Sequence, residues 1–83
     1  MDKTQIFEEL LEFLHSQMGD IAPGVTEDSY VYEVIERSHS TLVSFAALVE
    51  NGFQLEVPLD VAGGWRAIGD VVEYIANHYE RRF

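Results

Sequence analysis

Eighty-three residues, no cysteine, and fifteen acidic against five basic side chains give the chain a formal charge of −10. That length allows one domain with a thin core, and a 47% apolar content favours folding over disorder. Missing thiols exclude disulfides, thiolate zinc sites and cysteine nucleophiles, while the acidic balance argues against nucleic acid and anionic membranes, which require positive surface.

The first segment has the period of an amphipathic helix. Ile6, Phe7, Leu10, Leu11, Phe13, Leu14 and Met18 recur at three- and four-residue steps, with Glu8, Glu9, Glu12 and Gln17 opposite. Asp2 with Gln5, or Thr4, can cap its start, and Gly19 and Pro23-Gly24 are expected to stop it. From Ile21 to Arg37 the periodicity weakens, which predicts a long loop pinned to the core by Val31, Val34 and Ile35. A connection of that length in a small domain is commonly functional.

A second helix is expected from about Ser40 to Asn51, with Gly52 as its stop. Leu42, Val43, Phe45, Ala46, Leu48 and Val49 form its apolar side, and Thr41 and Ser44 its outer one. Phe53 to Val57 alternates like a strand, but Pro58 and the lack of a pairing partner favour an extended linker. Leu59 to Gly63 predicts one short turn. The last helix should start near Trp65 or Arg66, bury Ile68, Val71, Val72, Ile75 and Tyr79, and end on Arg81 and Arg82, which suit its negative pole.

The pattern is therefore all-α: a small four-helix bundle of three main helices and one short one, a single domain over residues 1–83. No apolar run approaches the roughly 20 residues of a membrane span, and Met1-Asp2-Lys3 lacks a signal-peptide pattern. A soluble cytoplasmic domain with basic or apolar protein partners is expected. His15, His39 and His78 are dispersed, so no metal spacing emerges.

Several segments in one register resemble the acyl carrier protein family, the phosphopantetheine-binding carrier domains of fatty-acid, polyketide and nonribosomal-peptide synthesis. Phe53-Gln54-Leu55-Glu56-Val57-Pro58 is similar to the family's F-G-I-E-I-P segment, and residues 68–75 are similar to its V-x-x-a-I-D-Y-I helix. Val31-Tyr32-Glu33-Val34-Ile35 sits where carriers have F-x-E-D-L, and Val25-Thr26 with Glu27-Asp28 matches the loop after the first helix. The resemblance spans residues 4–78 without a gap. It implies a carrier fold without catalytic activity of its own, because the chemistry resides in the 4′-phosphopantetheine arm. It also implies biosynthetic enzymes as partners: a synthase, an acyl- or aminoacyl-loading enzyme and a phosphopantetheinyl transferase.

The family attaches its arm to the serine of an Asp-Ser-Leu triplet, fourteen residues before the linker phenylalanine. Counting back from Phe53 lands on His39, within Ser38-His39-Ser40. Imidazole cannot take the usual phosphodiester. Two readings stay open: Ser40, or second Ser38, carries the arm, or the chain is an unmodified carrier homologue with His39 in the emptied position. A catalytic reading of His39 between two serines is disfavoured, because sequence neighbours cannot easily pair as nucleophile and base, and an activated serine also needs an orienting acid and an oxyanion hole. Carriers usually dock through acidic residues of the second helix. Here Glu50 is that helix's one charge, so the expected docking set is Arg37, His39, Thr41, Ser44 and Glu50, with the acid displaced to the first helix and the loop. A dedicated pathway is then favoured over general lipid synthesis. Self-association through the weakly charged second helix is a third reading.

Overall fold

Asp2 opens the first helix: its Oδ1 accepts the Gln5 N–H at 2.8 Å and its carbonyl accepts the Ile6 N–H at 3.1 Å. In the computed structural model, which describes residues 2–18 and 24–79, this helix is α1, Lys3–Met18. Ile6, Leu10 and Leu14, one per turn, are fully buried, with Phe7, Leu11 and Phe13 packed around them. α1 lays this stripe against two later helices, α3 (Leu42–Phe53) and α5 (Ile68–Tyr79). The expected stops Gly19 and Pro23 lie outside the described residues, as do Arg81 and Arg82 and the side chains of Met18 and Tyr79; Gly24 adopts φ +90°.

The long loop is the first correction. Its second half is a helix, α2, Val31–Arg37. Val31, Val34 and Ile35 are buried as expected, and their i, i+3, i+4 spacing is what a two-turn helix needs. Two turns are too few for the periodicity to stand out against a polar background. Tertiary support compensates: the Val31 N–H donates to the Arg66 carbonyl at 2.8 Å, tying the start of α2 to the segment before α5.

The second correction concerns α3, which begins at Leu42 rather than Ser40 and runs past Gly52 to Phe53. Thr41 is its N-cap, with Oγ1 accepting the Ser44 N–H at 3.1 Å. Gly52 stands inside the last turn because the Phe13 ring presses on it; a Cβ there would lie 2.8 Å from the ring. Gln54 ends the helix instead, in the left-handed region at φ 54°. Phe45, Ala46, Leu48, Val49 and Phe53 face inward, whereas Val43, expected on that side, is 59% exposed.

After the Gln54 cap, residues 55–58 form no helix, and no strand occurs among the described residues. Val57 is buried and its N–H donates to Glu50 Oε2 at 2.9 Å. The expected short turn is α4, Leu59–Ala62, closed by Gly63. α5 starts three residues after Trp65, a third correction: Tyr30 pairs antiparallel with Ala67, which keeps residues 65–67 extended. Two backbone groups at the start of α5 find carbonyls across that seam, Ile68 N–H on Ser29 and Gly69 N–H on Glu27, both at 2.8 Å. Gly69 permits this approach, since a Cβ would sit 3.2 Å from the Glu27 oxygen. Where a bundle of three main helices and one short one was expected, five helices occur among the described residues, α2 and α4 both short.

Aromatic rings close the core. Trp65, 5% exposed, meets Phe45 edge-on at 6.1 Å and Tyr74 at 5.6 Å, while Phe13 and Phe53 meet at 5.3 Å.

Candidate functional site

The segment between α2 and α3 holds Ser38, His39 and Ser40, the residues expected at the attachment position. It is built as a helix C-terminus. The Ser40 N–H donates to the Ile35 carbonyl and the His39 N–H to the Glu36 carbonyl, both at 3.1 Å, and His39 adopts φ 55°. This is a Schellman motif with His39 at the left-handed position that glycine ordinarily fills. The imidazole is consequently directed into solvent.

The two serines are half-buried and turned toward each other. Ser38, the C-cap of α2, donates its hydroxyl to the Ile35 carbonyl at 3.0 Å, and its Oγ lies 2.6 Å from Ser40 Oγ. With the Ser38 proton on that carbonyl, the proton between the two oxygens belongs to Ser40. Neither serine caps α3; Ser38 and Ser40 are used by the end of α2, so the cap passes to Thr41. A hydroxyl three residues ahead of Ser44, immediately before the apolar run, was the signal for Thr41.

The expected docking residues divide into two groups. Arg37, His39, Thr41 and Ser44 are exposed around this loop. Arg37 pairs with Glu33 at 3.0 Å, both side chains about half exposed, so water screens an interaction worth under about 1 kcal/mol. Thr41 Oγ1 donates to Ser44 Oγ at 3.2 Å. Glu50 stands apart, half-buried, with one carboxylate oxygen engaged by the linker N–H of Val57. The remaining exposed positions of α3, Val43, Ala47 and Asn51, are uncharged.

Among the described residues two ionisable groups are displaced from their ordinary values, both near α5. Asp70 accepts the Ala67 and Arg66 N–H groups, each at 3.1 Å, and these bonds hold its carboxyl below the usual range. Burial, and then the charges of Glu56, Glu50 and Asp60, push the Tyr74 phenol up; its hydroxyl donates to the Glu56 carbonyl at 2.8 Å. His78 stacks on Tyr74 at 3.9 Å, with Nδ1 at 2.9 Å from the Tyr74 carbonyl. Among the described residues no three side chains group as metal ligands, and no helix is long and apolar enough to cross a membrane.

No protein-family model matches the chain, and no solved structure matches it. Curated relatives do. An acyl carrier protein of Clostridium perfringens (strain SM101 / Type A) is 26% identical over 76 residues, covering 92% of this chain and all of the relative. An acyl carrier protein of Lactobacillus acidophilus is 26% identical over 78 residues, covering 94% of this chain and 98% of the relative. Similar to these proteins over nearly its whole length and folded as a small helical bundle, the chain resembles the acyl carrier protein family.

Proposed function

We propose that the chain is a non-catalytic carrier module that shuttles an acyl or aminoacyl intermediate between enzymes of a specialised biosynthetic pathway. The observation that carries this reading is the end-to-end similarity to acyl carrier proteins, joined to a helix–loop–helix in which hydroxyls cluster beside the aligned attachment position. His39 itself does not fit the group, since its imidazole cannot form the phosphodiester. Ser40 fits better: it lies directly ahead of the α3 cap, with its hydroxyl 2.6 Å from that of Ser38. Ser40 is the first choice to hold 4′-phosphopantetheine and Ser38 the second. When bound, that group supplies the thiol that this cysteine-free chain lacks. Ser38 would orient the Ser40 hydroxyl through their shared hydrogen bond, and the exposed surface of the loop and α3 would meet partner enzymes.

The second reading, an arm-free homologue that docks to a synthase or regulator, is favoured by the same loop. His39 is its exposed member, whereas both serines are half-buried. Intact mass after incubation with coenzyme A and a broad-specificity phosphopantetheinyl transferase separates the two. A gain of one phosphopantetheine group, abolished by Ser40→Ala or Ser38→Ala, supports carriage. An unchanged mass with several transferases, together with a gain in His39→Ser, establishes an emptied site.

A further inference from the structure

Two tyrosine rings stand in solvent on one side of the molecule, Tyr30 at 65% and Tyr32 at 54% exposure. They line an open groove of about 680 Å³ between α2 and the segment joining α4 to α5, and the buried Trp65 closes it from the core side. That volume lies within the usual range of small-ligand sites. Two charged side chains share the groove, Glu36 from α2 and Arg66 from the facing segment, and neither forms an ion pair among the described residues. We propose that this groove binds an aromatic zwitterion, an α-amino acid with a ring in its side chain.

Charge balance selects that occupant. Glu33, the other carboxylate of the groove, is paired with Arg37 at 3.0 Å. Asp70 is hydrogen-bonded to the backbone N–H of Arg66, whose side chain is exposed. The groove thus presents one unpaired anion and one unpaired cation, with no net preference for a ligand of either sign. A purely anionic or cationic ligand answers one of them and brings its like charge to the other, and an apolar ligand answers neither. An α-amino acid answers both, with its carboxylate on the planar guanidinium fork and its ammonium on Glu36. The tyrosines call for the ring: their faces stand exposed in the same groove, and an aromatic side chain gains from both apolar burial and ring–ring contact there.

One wall of the groove is bare where the fold does not require it. Gly64 lines the groove, its φ is outside the left-handed region, and a Cβ there would meet nothing closer than the Val61 carbonyl at 3.4 Å, an ordinary contact. Neither backbone conformation nor packing demands glycine at this position; its effect is to let a flat group approach the main chain. The two sides of the groove are also held before any ligand arrives. The Val31 N–H donates to the Arg66 carbonyl at 2.8 Å and Tyr30 pairs with Ala67, so little ordering entropy opposes binding.

The test is a nitrogen-15 chemical-shift titration of the full chain with four ligands: phenylalanine, hydrocinnamate (the same ring without the ammonium), phenethylamine (without the carboxylate) and leucine (without the ring). Saturable shifts centred on Tyr30, Tyr32, Glu36, Gly64 and Arg66 are expected, with phenylalanine binding severalfold tighter than the other three. Arg66→Gln should weaken phenylalanine about threefold and leave phenethylamine no weaker, whereas Glu36→Gln should weaken phenylalanine about threefold and leave hydrocinnamate no weaker. Tyr32→Ala should weaken each ring-bearing ligand by up to about tenfold. Gly64→Ala should weaken phenylalanine severalfold with thermal stability unchanged or raised. Equal affinity for phenylalanine and its two singly charged analogues would overturn the proposal, as would shifts spread over the surface or absent up to the solubility of the ligand. Shifts that depend on protein concentration without ligand would also overturn it, assigning the groove to a second copy of the chain. The substituted residues are all exposed, and helical circular dichroism verifies that each variant folds. The analogue series, run on the unaltered chain, decides the question without any variant. Binding here needs no prosthetic arm, so its outcome is independent of arm loading.

Discussion

Two junctions between helices follow opposite construction rules. In the α2–α3 loop, residues 38–41, the Schellman pair, the Ser38–Ser40 contact and the Thr41 cap each reach no further than five residues along the chain. The entry to α5, residues 65–70, is instead clamped from a distance, by the backbone of residues 27–31 and by a buried tryptophan. Local closure can be rebuilt without moving the core. A clamped junction transmits every change to the helices on both sides.

Breaking the clamp should have the largest effect. Trp65→Ala removes a ring packed between Phe45 and Tyr74, and urea unfolding is expected to show a loss of about 3–4 kcal/mol, much of what a small domain has. Gly69→Val drives a branched side chain against the Glu27 carbonyl, 3.2 Å from where its Cβ must lie; a loss of about 2 kcal/mol is expected in the same assay.

Asp70→Ala uncaps the start of α5 and should cost about 1 kcal/mol. This contribution depends on pH. The folded pKa is held below the ordinary aspartate value, so the stabilisation is complete above that ordinary value and is lost as pH falls through the folded one. Asp70→Asn keeps a capping oxygen but should flatten this acid limb of the stability curve.

The smallest effect should come with the opposite sign. His39→Gly relieves a left-handed non-glycine residue and is expected to raise stability by somewhat under about 1 kcal/mol. A gain at residue 39 beside a loss at residue 69 would confirm that one junction tolerates revision and the other does not. A loss at residue 39 would show that the imidazole contributes a contact of its own.

The same contrast explains what could be read from the sequence. α1 and α5 were legible because their stripes, Ile6-Leu10-Leu14 and Ile68-Val72-Ile75 with Val71, persist over more than two turns within helices of 16 and 12 residues. α2 was not, since Val31, Val34 and Ile35 alone do not distinguish a short helix from a pinned loop. Gly52 looked like a stop because glycine usually is one, but only the tertiary approach of Phe13 reveals its packing role. At the candidate site the residue types were legible while the capping pattern was not. Ser38, Ser40 and Thr41 are all competent helix caps, and the choice among them was made by where α2 ends.

The Glu50–Val57 hydrogen bond reaches beyond the linker it holds. It occupies an oxygen of the one carboxylate on α3, while Thr41, Val43, Ser44, Ala47 and Asn51 present an electrically neutral exterior. A partner that reads this helix meets a single carboxylate, so any long-range steering comes from the overall charge of −10 rather than from α3, and encounter should slow as salt is added. Discrimination on that face then falls to the fit of small side chains, and its signature is the lifetime of the complex rather than the speed of its formation.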